Sequence, residues 1–215
     1  MAHFEESLGV FIDIGELDRA NNVRFMLARR AIEARRRLSE VPLWLDECER
    51  HATLHRLEHE QAHARLARAE HLTLGGGHGA ACRLFNGVID VFRRAGDLRC
   101  LARTLVGLAG SASATARGAP EAVENLLQAV HVTLAAADIP RQHHVAAALV
   151  KAAAEAGDLT LAARVFGALA AAPGIDTPLP GHEQLAAELA APPFASFVSE
   201  GRAGGFNLIA RLYPR

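Results

Sequence analysis

The sequence predicts an all-α chain, an array of antiparallel helix pairs with a repeat of about 40 residues. Three observations carry this. Apolar residues recur at i, i+3, i+4 and i+7 in segment after segment, as in Phe85, Val88, Ile89 and Phe92. The apolar set is mostly Ala and Leu, with one Trp and one Tyr in 215 residues, which favours closely packed helices over sheets. And the chain repeats itself. In FEESLGVFIDIGE (4–16) and FNGVIDVFRRAGD (85–97), Phe4, Leu8, Phe11 and Gly15 fall on Phe85, Ile89, Phe92 and Gly96, an offset of 81.

An acid follows the glycine in both copies, Glu16 and Asp97. A third copy, LLQAVHVTLAAAD (126–138), keeps Leu126, Val130 and the final Asp138. An offset of 81 is two units, so a further copy is expected near 44–57. That stretch is degenerate, because His51 and His55 intrude on its apolar face. A second class of breaks falls midway: RRRLSEVP (35–42), GGGHG (75–79), ARGAPE (116–121) and AGDLT (156–160). Two breaks per period mean two helices per repeat.

Helices are expected at 3–15, 18–37, 42–56, 60–74, 79–95, 98–115, 120–136, 141–156, 159–171 and 181–191, with a last short one near 193–202. Asp97, Asp138 and Asp158 stand where N-caps belong, and Pro42 and Pro120 suit first turns. APGIDTPLPG (172–181) reads as a loop. The expected organisation is one solenoid: a repeat array over 1–172, then capping helices over 173–215. The short turns make sequential helices antiparallel.

Composition excludes several classes. The net charge of −1 gives no general affinity for nucleic acid. Basic charge comes from 22 Arg and the single Lys151, an imbalance typical of a GC-rich bacterial genome. Three cysteines, Cys48, Cys82 and Cys100, an odd number with no CxxC spacing, argue against a disulfide framework and fit a reducing cytoplasm. No signal peptide and no membrane span is expected.

The run GDLRCLARTLVGLAGSASATARGAPEAVENLLQAVHVTLAAAD, continued by EAGDLTLAARVFGALAAAPG, resembles the tetratricopeptide-like region of large bacterial LuxR-type and antibiotic-regulator-type ATPase transcriptional regulators. PPFASFVSEGRAGGFNLIARL resembles the aromatic–small–small–aromatic segment, E-G-R and apolar helix that close that region. The resemblance is strongest over 82–202. It implies a right-handed superhelix of helix pairs acting as a sensor and protein-interaction arm. No Walker A sequence occurs, and thirteen residues after Arg202 are too few for the family's DNA-binding helix-turn-helix. Direct DNA binding by this chain is therefore not expected.

Histidine supplies the one constellation with chemistry in it. Cys48, His51, His55, His59 and His63 follow at spacings of three and four, which on one continuous helix would form a stripe of transition-metal ligands, for zinc or nickel. HEQAH (59–63) matches HExxH, in which Glu60 would be the base. Against this, the repeat places a turn near 57–59, so that HEQAH straddles a helix start, and no third ligand stands at a recognised spacing. Histidines on a solvated or groove-lining face are the preferred reading, with no cofactor.

Other segments favour structure over chemistry. GGGHG lacks the Lys and Ser/Thr of a phosphate loop. ARRAIEARRR (28–37) puts Arg29, Arg30, Arg36 and Arg37 broadly on one side, without aromatics for base stacking. Ser111 and Ser113 lack the context of an activated nucleophile. Catalysis is not expected.

The expected function is a non-catalytic interaction or sensor module. Its concave surface would be lined by helices 18–37, 60–74, 98–115 and 141–156, with Asn22, Arg29, Gln61, Arg65, Arg68, Arg103, His144 and Lys151 as groove residues. Such a groove is basic and suits an acidic peptide, a protein helix or a small anionic effector. A stand-alone helical enzyme or metal-binding protein using the 48–63 stripe is the alternative. Phe4, Leu8 and Phe11 begin inside a repeat with no preceding helix, which predicts self-association through that apolar face or a missing upstream domain.

Overall fold

In a computed structural model, residues 2–115, 118–172, 179 and 181–214 are described. Among them the structure is helical throughout, with no strand. Eleven α-helices follow in order: α1 (Ala2–Asp13), α2 (Leu17–Ala34), α3 (Val41–Leu54), α4 (Glu58–Leu74), α5 (His78–Ala95), α6 (Leu98–Ser113), α7 (Gly118–Ala135), α8 (Ile139–Glu155), α9 (Leu159–Ala170), α10 (Glu183–Ala190) and α11 (Ala195–Leu212). A 3-10 turn at Leu38–Glu40 leads into α3. None of these helices is long and apolar enough to cross a membrane.

The chain divides into two compact units, Met1–Asp97 and Leu98–Arg215. In the first, each helix packs on the next in sequence, and α2 also meets α4. Leu27, Ala28, Ala31, Val41, Trp44, Leu45 and Cys48 form the α2–α3 core, with Phe4 and Leu8 of α1 partly buried against it. Val10, Ile12 and Ile14 remain exposed. In the second unit α6 to α9 pack in sequence, while α11 lies against α9 and α7. Small residues permit this density: Ala102, Ala109, Ala112, Ala122, Ala129, Ala146 and Ala153 are all buried.

Local signals set the boundaries. Asp138 and Asp158 each cap the following helix, accepting from the N–H of Arg141 and Leu161. Pro42 stands at the start of α3, where a missing N–H costs nothing. Two sequence expectations need correction. The last helix is not short: α11 runs to Leu212, with a break at Gly205 (φ 56°, ψ −159°), because the apolar residues Phe206, Leu208 and Ile209 continue beyond it. And helix 18–37 ends at Ala34, since Arg35 and Arg37 adopt left-handed backbone. The loop predicted at 172–181 lies, but for Ala172, Leu179 and Gly181, outside the described residues, as do Ala116 and Arg117 of the predicted break at 116–121.

Candidate functional site

The histidine stripe is not one stripe. The continuous helix it needs is broken between α3 and α4, where His55 caps α3, Arg56 takes positive φ and α4 begins at Glu58. His51 and His55 therefore pair with each other, ring centroids 4.5 Å apart, and His51 Nε2 lies 3.0 Å from Asp18 Oδ1 without hydrogen-bond alignment. HEQAH, by contrast, lies wholly within α4. The turn expected at 57–59 falls just before it, so His59 and His63 stand one turn apart on one helix face. Their rings are 4.4 Å apart.

The third partner comes from α5. That helix ends in a left-handed Gly96, with Gly96 N–H donating to the Arg93 carbonyl and Asp97 N–H to the Phe92 carbonyl. This reversal is the Schellman arrangement that glycine permits. It delivers the Asp97 carboxylate to the start of the antiparallel α4. Asp97 Oδ2 lies 3.3 Å from His59 Nε2 and 3.6 Å from His63 Nε2. His59, His63 and Asp97 each bring one potential ligand atom to a cluster in which all lie within 4.8 Å of one another. Phe92 stands edge-on to both imidazoles, at 5.8 and 5.3 Å, and Phe25 of α2 stands edge-on to His63 at 5.9 Å.

The two imidazoles also line a pocket of about 280 Å³, with Asn21, Asn22 and Phe25 from α2, Cys48 from α3, and Glu60. Burial chiefly, and then the charge of His59, holds the His63 imidazole below its ordinary pKa, so its neutral, ligand-competent form is favoured. The Cys48 thiol is pushed up to about 12 by burial and donates to the Asn21 carbonyl at 3.6 Å. Asn21 Oδ1 is buried with no hydrogen-bond partner within the chain. Leaving such an acceptor unmet costs about 1–3 kcal/mol, so the pocket favours an occupant that brings an N–H or O–H donor.

No protein-family model, curated protein or solved structure matches the chain.

Of the eight groove residues expected from sequence, Asn22 lines this pocket. Arg29 pairs with Glu33, Arg68 with both Asp46 and Glu49, and Gln61 donates to Thr53. Arg65 and Lys151 are half-buried, His144 is exposed, and Arg103 is half-buried on α6. The acids that pair with Arg29 and Arg68 stand on neighbouring turns and helices and offset their charge. Within the basic run 28–37, Arg30 meets Glu33, and Arg37 meets Glu5 and Glu40 while lying 5.3 Å over the Trp44 ring. Sequence reasoning missed Asp97 as a site residue and Asn21 altogether.

Proposed function

We propose that the chain is a non-catalytic helical-repeat sensor and protein-interaction module of the tetratricopeptide-like kind, linked to transcriptional regulation, with the pocket of its first unit as the effector site. The observation that carries this reading is Asn21 Oδ1, buried and unpaired at a pocket lined by two imidazoles and Glu60. A binding pocket needs a few fixed polar groups within apolar walls, and Phe25, Cys48 and the asparagines supply both. The volume suits a small ligand or a single side chain of a peptide partner. With Glu60 and Asn21 Oδ1 as acceptors, the favoured occupant carries amine or amide N–H groups rather than the anionic charge expected from sequence. The exposed Val10 and Ile12 at the end of α1 and Ile14 just after it support the further proposal that this N-terminal segment meets a second copy or a partner.

The test is a thermal-shift screen of small amines, amides and amino acids in the presence of EDTA. A true occupant raises the melting temperature of the native chain in a concentration-dependent way. It leaves Asn21→Leu and Asn22→Trp unshifted. A screen without hits, or hits that shift all three proteins alike, would refute the pocket as effector site.

One observation favours the enzymatic alternative: Glu60 lines the same pocket as His59 and His63, as a general base beside bound metal would. Zinc-dependent ester or peptide hydrolysis by the purified chain, abolished in Glu60→Gln, would establish that alternative.

A further inference from the structure

We infer that His59, His63 and Asp97 form a binding site for a divalent first-row transition ion, best suited to zinc, at the edge of the first unit's pocket. This goes beyond the sensor reading and does not depend on it.

The distances carry the inference. In a tetrahedral zinc site, bonds of about 2.0–2.2 Å place neighbouring ligand atoms about 3.3–3.6 Å apart. Asp97 Oδ2 lies 3.3 and 3.6 Å from the two Nε2 atoms. A charge-assisted hydrogen bond from an imidazolium to a carboxylate closes to about 2.7–2.9 Å. Here Asp97 Oδ2 meets the His59 ring in a long hydrogen bond of 3.3 Å and the His63 ring at 3.6 Å, spacings that ligands around a common centre also take.

The donor set agrees. Two imidazole nitrogens and one carboxylate oxygen are borderline donors that suit zinc and its neighbours. Three protein ligands leave one position open, as in catalytic or ligand-exchanging zinc sites, and the imidazoles border both Asp97 and the pocket. The ligand-bearing segments are held rigidly. His59 and His63 share a helix, Asp97 follows a capped helix end, and Phe92 packs against both rings, restricting their rotation. The local charge is favourable. Asp97 and Glu60 are acidic, while the nearby Arg29 is paired with Glu33 and Arg94 with Glu58. The buried Asn21 Oδ1 in the adjoining pocket is an independent sign that a ligand belongs here, since it suits a metal-bound water or the donor of a ligand on the ion.

The site differs from the Cys48–His63 stripe suggested by sequence. His51 and His55 lie apart, and Cys48, protonated at neutral pH, keeps its thiol on the Asn21 carbonyl.

The experiment is zinc titration of the full, tag-free chain, by calorimetry and by competition with a chromogenic chelator. Zinc alone should bind one to one with micromolar or tighter affinity. His63→Ala and Asp97→Asn should each weaken it by at least about tenfold, at unchanged helix content, whereas the His51→Ala/His55→Ala double variant should bind as the native chain does. X-ray absorption of the zinc-loaded native chain, which needs no variant to fold, should show two imidazoles and no sulfur. Absence of binding, binding unaffected by His63→Ala and Asp97→Asn, loss in the His51/His55 variant, or a sulfur ligand would overturn the site. Failure here with ligand shifts retained in EDTA would leave the effector pocket standing, so the two outcomes separate.

Discussion

Gly167 of α9 and Gly201 of α11 face each other's backbones across one helix crossing. A Cβ on Gly201 would collide with the Arg164 carbonyl, and one on Gly167 with the Val198 carbonyl. Neither obstacle is a flexible side chain. The two helices therefore approach to backbone contact, and Arg164 closes the crossing from the outside by pairing with Glu200 and lying over the Phe197 ring. Small residues at a crossing are what let two helix backbones come this close.

The first prediction follows from that crossing. Gly201→Ala and Gly167→Ala each gain helix propensity but must force the helices apart. Each should lose about 1–3 kcal/mol or more, as overpacked cores do. Urea unfolding followed by circular dichroism measures it. Equal or greater stability in either variant would mean that the crossing is looser than described.

A second prediction concerns the caps. Asp138 accepts from the Arg141 backbone N–H at 3.2 Å and from its Nε at 3.0 Å, and Asp158 accepts from Leu161 N–H at 2.9 Å. Asp158→Ala should cost about 1 kcal/mol, and Asp158→Asn much less, because the amide oxygen can still accept. For Asp138 the Asn variant should recover only part of the loss, since the ion pair with Arg141 goes as well. Denaturant midpoints of the four variants give the comparison.

Caps and stripes are local, and local features were legible in the sequence. The acids at 138 and 158 announce α8 and α9 because a cap is satisfied within three residues. The E-G-R of the closing segment was visible as a motif, but only the crossing shows why its glycine, Gly201, is small. The metal cluster was half legible. His59 and His63 were named, yet the helix break was placed on His59 instead of before it, a shift of two residues in where α4 begins. Asp97 was read only as a cap candidate, since it stands 34 residues beyond His63. One signal could have found it. In an antiparallel pair folded about GGGHG, residues at similar distances before and after the turn become neighbours, and His59 and Asp97 are such a pair. Asn21 had no signal, because its importance lies in burial without a partner, which only packing creates.

Cys48 yields a third prediction. Burial raises its thiol to about 12 from an ordinary 9.0, so the folded state favours the neutral thiol. The resulting stabilisation is fully present below pH 9, where the unfolded thiol is also protonated, and is lost as pH rises from there towards 12. At pH 8 the native chain should resist iodoacetamide at Cys48 while the urea-unfolded chain reacts readily. Mass spectrometry of the alkylated peptides reads both. Rapid native modification of Cys48 would show that the thiol is neither buried nor protonated as described, and would return it to the list of metal ligands.

The last prediction sets Gly87 within α5 against Gly96, which caps its end. Gly87 lies mid-helix, exposed, with nothing near the position of a Cβ. Alanine there limits the unfolded chain and improves propensity, so Gly87→Ala should stabilise by about 0.5–1 kcal/mol. Gly96 has equally open space, but its φ of +67° is left-handed. Alanine in that conformation costs about 1–2 kcal/mol, so Gly96→Ala should destabilise even though no atom blocks it. Since the same turn carries Asp97 to His59 and His63, the Gly96 variant should also weaken zinc binding, whereas Gly87→Ala should leave it unchanged. Denaturant unfolding and zinc titration of the two proteins test both halves. Shifts of the same sign would mean that the backbone at Gly96 does not hold the Asp97 carboxylate where the geometry places it.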